Sequence, residues 1–491
     1  MTGQDRGGAL LNYGTTKELA VALAAGKISA LELTDHVIAR IEAVDKKLNA
    51  VIVRDFERGR EAAKSADAAL ARGERRPLLG IPMVVKESFD VAGLPTTWGL
   101  PLFKDFVPGG DALMVARVKK AGAVVLGKTN VPLFLGDWQS YNDIYGTTNN
   151  PWALDRSPGG SSGGSSAALA AGFGPLSLGS DIGGSLRIPA HFCGIYAHKP
   201  TLNLIPARGH GIPGMVMRQS DLAVVGPMAR TAADLELVLD VTAGPDETPD
   251  GIAYRLELPA SRHRELKDFR VLVLDEHPLL PTEAAIRAAF DRLAQGLVKA
   301  GAKVARSSPL LPDLAQSARI YMRLLMSALS ERWPPDIYAQ AEADAAKIKD
   351  DDTSLSAERF RGMVMSHRDW AAADTERAML RRQWVQLFHE WDVVLAPSSS
   401  TTAFPHNHAP MAERHIDIDG RRFNYFDQLV WPEIATNPGL PATAAPIGLS
   451  DDGLPIGMQI VGPYLEDRTT LAFAALIERE FGGFVPPPGY V

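Results

Sequence analysis

Two glycine- and serine-rich segments constrain this chain more than anything else in it. RSPGGSSGGSSAALAAG runs from Arg156 to Gly172, and PLSLGSDIGGSLRIPA from Pro175 to Ala190. A Gly/Ser run is ordinarily a flexible linker. Here it runs straight into SSAALAAG, a good helix former with Gly172 just past its end. A helix of such small residues permits close backbone packing, which a linker does not need. A phosphate loop requires a lysine after its second glycine, and none follows. A dinucleotide loop requires a preceding strand, whereas TTNNPWALDRSP is turn-rich. The Gly-x-Ser-x-Gly elbow fits around either Ser161 or Ser162, but its strand is missing too. The second segment reads as a strand, PLSLG, then a tight loop, SDIGGS. Consecutive glycines there leave backbone N–H groups uncovered beside Ser185, which suits an oxyanion hole; a plain tight turn is the alternative. Ser161 and Ser185 stand 24 positions apart, joined by one helix and one strand. Such a pair of serine-bearing loops is far more specific than either loop alone.

The rest of the chain narrows the class. Its 491 residues suffice for one large core or for two or three average domains. A net charge of −7 provides no basic face, so neither nucleic acid nor a membrane is an expected partner. The single cysteine, Cys193, rules out an internal disulfide framework and any multi-cysteine metal site. It reads as a small buried hydrophobe. The N-terminus lacks the apolar core of an export signal, and no run of 18 apolar residues occurs, so a cytoplasmic location is expected.

Helices and short apolar strands alternate along the chain. Thr15 with Glu18 and Ser29 with Glu32 have capping-box spacing. Leu33, Val37, Ile41 and Val44 share a helical face. GIPMVVKESFDV reads as a buried strand entering a loop. DALMVARVKKAGAVVLGKTN and TEAAIRAAFDRLAQGLVKAGAKVA each read helix then strand, FRVLVLD and WDVVLAPSS read as strands, and GMQIVG precedes a helix from about Asp467. This is an α/β pattern. The expectation is one domain over 1–491, with a catalytic core at about 75–230 and 390–475 and a mostly helical, cap-like region at about 310–390.

The stretch GGSSGGSSAALAAGFGPLSLGSDIGGSLRIPAHFCGIYAHKPT closely resembles the amidase signature family. LLGIPMVVKESFDVAGLPTTWG resembles that family's lysine segment, and AGAVVLGKTNVPLFLGDWQSYNDIYGTTNNPW the segment leading into the Gly/Ser loop. NPGLPATAAPIGLSDDGLPIGMQIVGP resembles its C-terminal strand region. The resemblance implies a single α/β domain with a central mixed β-sheet surrounded by helices, and amide hydrolysis by a Ser–cis-Ser–Lys triad. Position by position, it puts the nucleophile on Ser185, the bridging serine on Ser161 and the base on Lys86. The oxyanion-hole donors fall on the N–H groups of Ile182, Gly183, Gly184 and Ser185. It calls for no cofactor and no metal, takes a small-molecule amide as substrate, and leaves room for a homodimer.

The chemistry explains the residue types. A serine hydroxyl needs a base to remove its proton. Lysine can serve only when neutral, and burial beside the apolar IPMVV would lower its pKa from about 10.4. None of the 11 histidines falls in a matched catalytic position, and His191 and His198 read as structural. Asp181 and Arg187 flank the nucleophile and are expected to brace its loop. His406 and His408, with His415 nearby, invite a metal, but no further ligand spacing accompanies them.

Substrate choice rests on the segment before the Gly/Ser loop. Leu135, Gly136, Asp137 and Trp138 are the expected binding residues, with Phe134 beside them. Ile212, Met215, Met217, Tyr425, Phe426 and Trp431 are candidates for an apolar, aromatic lining, or else ordinary core. Such a lining favours aryl or aliphatic amides. One alternative is a glutaminase subunit of a tRNA-dependent amidotransferase, although LNLIPARGHGIP departs from the continuation typical of such a glutaminase. Another is a non-catalytic binding protein on the same fold, against which the filled Lys86, Ser161 and Ser185 positions argue.

Overall fold

The computed structural model describes residues 10–215, 219–246 and 251–490. Its first helices begin as their caps dictate. The Thr15 hydroxyl accepts from the Glu18 N–H while the Glu18 carboxylate accepts from the Thr15 N–H, and Ser29 and Glu32 repeat the arrangement. The helix Ala30–Leu48 buries Leu33, Val37 and Ile41 and leaves Val44 half-buried, following the 3.6-residue period.

Eleven strands form one mixed sheet. In chain order they are β1 (Val51–Arg54), β2 (Pro82–Lys86), β3 (Val124–Thr129), β4 (Leu176–Asp181), β5 (Tyr196–Lys199) and β6 (Val224–Ala229). They continue as β7 (Arg270–Val273), β8 (Lys303–Ala305), β9 (Val393–Pro397), β10 (Ala442–Leu449) and β11 (Pro455–Val461). Across the sheet the order is β1-β3-β2-β4-β6-β5-β10-β11-β9-β7-β8. β2 runs parallel to both β3 and β4, so Lys86 and Asp181, the last residues of β2 and β4, reach the same edge. β1, β7 and β8 come from outside the ranges 75–230 and 390–475. They lengthen the sheet at its two ends, β1 antiparallel to β3 and β7 parallel to β9.

The segment GGSSAALA forms the helix Gly163–Ala170, and all 8 of its residues are buried. That burial explains why it has no polar face. A Cβ at Gly164 would lie 2.4 Å from the backbone nitrogen of Asn130, so helix and strand end approach more closely than any side chain allows. The 310–390 stretch folds into helices Leu314–Ser330, Pro335–Ala345, Leu355–Met363 and His367–Glu390. The first of these packs on the third and fourth and on the short helix Val430–Thr436. This places it above the edge where β2 and β4 end.

Candidate active site

Lys86 is fully buried at the end of β2. Its Nζ is hydrogen-bonded to Ser161 Oγ at 2.7 Å and to Ser180 Oγ at 2.9 Å. Burial drives its pKa down to about 7, opposed in part by the charges of Asp181 and Glu87. Near neutrality, a large fraction of this amine is therefore unprotonated. The sequence motifs do not point to Ser180. It sits on β4, directly beside β2, and only the parallel pairing of these strands brings it to the lysine.

Ser161 lies in the loop between Pro158 and the helix Gly163–Ala170, and the Gly160–Ser161 peptide bond is cis. The segment before the loop holds it in place. Ser157 Oγ donates to the Trp138 carbonyl at 2.9 Å, and Ser140 Oγ donates to the Gly159 carbonyl at 3.0 Å and accepts from the Gly163 N–H at 3.1 Å. The Ser162 N–H donates to the Ser185 carbonyl at 3.3 Å, tying the two serine loops together. Ser161, Ser180 and Ser185 all line one cavity.

The loop carrying Ser185 is braced as the flanking charges suggest. The Asp181 carboxylate accepts from Arg187 and from the N–H groups of Gly184 and Leu186. Burial alone would raise its pKa, but the Arg187 charge and hydrogen bonds prevail and hold it at about 2. The arrangement corrects one expectation. The Gly184 N–H is turned onto Asp181 Oδ1 at 2.9 Å, so it does not face the cavity as a donor. The oxyanion reading then rests on the N–H groups of Ile182, Gly183 and Ser185. Gly184 remains necessary for another reason. Its φ is +91°, and a Cβ there would meet Ile188 and Pro432 at 2.7 Å.

The cavity has a volume of about 1110 Å³. Trp98, Phe134, Leu135, Gly136, Trp138, Ile212, Met215, Leu325, Leu329 and Phe426 contribute to its walls. The structure revises several candidates. Asp137 borders the cavity, but Arg414 Nη1 at 2.5 Å and the Tyr425 hydroxyl at 2.7 Å occupy its carboxylate. Tyr425 is buried behind Trp138 with its ring edge-on to that indole, and so serves the wall from outside. Trp431 is core, packed on His277. Met217 lies outside the described residues.

His191, His198 and His408 are engaged elsewhere. His191 Nδ1 accepts from the Gly457 N–H, and burial lowers its pKa to about 4. His198 joins Thr443 to Asp467. His408 stacks on Tyr141 with ring centroids 3.9 Å apart. Among the described residues no three His, Cys, Asp or Glu side chains converge as metal ligands. None of the described helices is long and apolar enough to cross a membrane.

Known proteins resemble this chain over most of its length. The family model described as Amidase matches residues 32–471. A glutamyl-tRNA(Gln) amidotransferase subunit from Roseiflexus castenholzii is 33% identical over 503 residues, covering 95% of each chain. A structure described as an unexpected vestigial protein complex, bearing on the origins of an s-triazine catabolic enzyme, is 30% identical with a TM-score of 0.79, covering 96% of this chain and 99% of that one. The 6-aminohexanoate cyclic dimer hydrolase is 28% identical with a TM-score of 0.76, covering 95% of this chain and 96% of that one.

Proposed function

The chain belongs to the amidase signature family, and on that premise we propose that it hydrolyses carboxylic amides with apolar or aromatic acyl groups through an acyl-enzyme on Ser185. The observation that carries this reading is the buried Lys86 amine, with a pKa of about 7, 2.7 Å from Ser161 in the wall of the cavity that also holds Ser185. Ser185 Oγ attacks the carbonyl carbon. Its proton passes to Ser161 Oγ as the Ser161 proton passes to Lys86 Nζ. The carbonyl oxygen gains the negative charge, which backbone N–H groups of the Ile182–Ser185 loop stabilise. Collapse breaks the C–N bond, and the proton returns through Ser161 to the departing amine. Water then attacks the Ser185 ester by the same relay, releasing the acid and restoring Ser185.

The cavity supports the substrate class. Its aromatic and aliphatic walls reward apolar surface, and a volume of about 1110 Å³ far exceeds what a small polar diamide fills. A second reading has its own support. The Roseiflexus relative belongs to an amidotransferase, which favours glutamine as the amide and a multi-subunit setting. A panel of amides, from aryl and aliphatic to glutamine and malonamide, assayed with the purified chain separates the two. Dominance of glutamine would favour the second reading.

A further inference from the structure

We infer that Tyr321 is a positioning residue that aims the oxyanion donors of the Ser185 loop, acting from a helix outside every motif of the site. The inference rests on the proposed role of that loop and extends it to a residue 139 positions away in the chain.

The loop can be followed one peptide plane at a time. In a trans peptide the carbonyl and the next residue's N–H point in opposite directions, so fixing one fixes the other. The Ile182 carbonyl accepts from the Tyr321 hydroxyl at 2.6 Å, which aims the Gly183 N–H the opposite way. The Gly183 carbonyl accepts from Trp138 Nε1 at 2.9 Å, and the Gly184 N–H of the same plane donates to Asp181. The Gly184 carbonyl accepts from the Ile188 N–H at 2.8 Å, which aims the Ser185 N–H. Three consecutive planes are thus clamped, and Tyr321 is the clamp on the plane that carries the Gly183 donor.

Tyr321 is built for that task. It stands on the helix Leu314–Ser330, is 1% exposed, and is not among the residues lining the cavity. A Cβ added at Gly183 would come within 3.7 Å of its hydroxyl, so ring and loop are in close register. A two-glycine loop has more conformational freedom than any other, so a donor aimed from it needs an external anchor. Preorganised donors are effective because they need no reorientation as charge develops. A tilt of the 182–183 plane weakens transition-state binding while leaving ground-state binding largely intact.

The test is Tyr321→Phe, which keeps the ring and loses the donor. The expected result is a kcat lower by roughly 10-fold or more with KM changed by less than about twofold. The Ki of a substrate-derived trifluoromethyl ketone, whose adduct carries the oxyanion, rises in proportion. Replacing Tyr321 by 4-aminophenylalanine, which restores a donor, recovers the rate. Trp138→Phe costs less in kcat, because Asp181 still holds its plane. An unchanged kcat in Tyr321→Phe, or a lost kcat that the amino analogue does not recover, overturns the inference. Labelling of the wild type by a fluorophosphonate checks the premise separately: if the adduct is not on Ser185, the reading of the loop fails and not merely the role of Tyr321.

Discussion

Arg187 and Asp181 form a salt bridge of 2.9 Å between side chains that are 1% and 0% exposed. The pair lies six residues apart across the nucleophile loop, and Arg187 also reaches Gln459, Thr436 and the Pro432 carbonyl. A buried pair is a poor source of net stability when intact, but breaking it leaves an uncompensated charge. Arg187→Met is therefore expected to lower unfolding stability by about 3–5 kcal/mol, measured by chemical denaturation. The pH dependence follows from the depressed Asp181 pKa. Its contribution to stability is complete above the ordinary value of 3.8 and is lost as pH falls through about 2. A variant as stable as the wild type would show that the bridge is not bracing the loop.

The two serines are expected to separate by chemistry. Ser185→Ala loses both turnover and labelling by a serine-directed fluorophosphonate. Ser161→Ala loses turnover by roughly 10²–10⁴-fold, the usual worth of positioned acid–base catalysis, yet still labels slowly at Ser185. Combining Ser161→Ala with Lys86→Ala adds little to either alone, since the two act as one relay. Peptide mass spectrometry of the adduct decides the assignment, and an adduct on Ser161 in the wild type would reverse it.

The pH profile should report Lys86. Its amine must be neutral to accept a proton, so kcat/KM rises with pH through about 7 and levels off on the alkaline side. A rate that is highest at about pH 5 and declines through neutrality contradicts a lysine base.

Cavity chemistry sets a graded substrate preference. Amides with an aryl or aliphatic acyl group are expected to exceed malonamide and glutamine in kcat/KM. Each buried methylene is worth about 1–3 kcal/mol, so polar amides are slowed rather than excluded. Narrowing the cavity with Leu329→Trp should penalise the largest acyl groups first. Equal rates across the series would remove the walls from any role in selection.

Removing divalent metals with a chelator should leave the rate unchanged, because Ser, Lys and backbone N–H groups fill every role in the proposed mechanism. Loss of activity on chelation, restored by one divalent ion, would return attention to His406 and His408.

Much of the site can be read in the sequence because its chemistry is local. Lys86, Ser161 and Ser185 each sit in a short motif whose residue types follow from their task. The helix starts at Thr15 and Ser29 are equally local, since a capping box closes within four residues. What reads less well depends on elements that meet only in three dimensions. Ser180 becomes a lysine partner through the parallel pairing of β2 and β4. Tyr321 reaches Ile182 because a helix from the 310–390 region packs over the sheet edge. The Gly184 N–H faces Asp181 instead of the cavity, a choice of peptide orientation that a Gly-Gly sequence leaves open. Tyr425 and Trp431 look like pocket residues on composition, but an aromatic ring fits a core or a cavity wall equally well, and only packing decides between them. Residue chemistry is thus written in the chain wherever its partners are neighbours. Where they are distant, the direction of a hydrogen bond and the side of a wall were settled by the tertiary structure, because both depend on which surfaces come into contact.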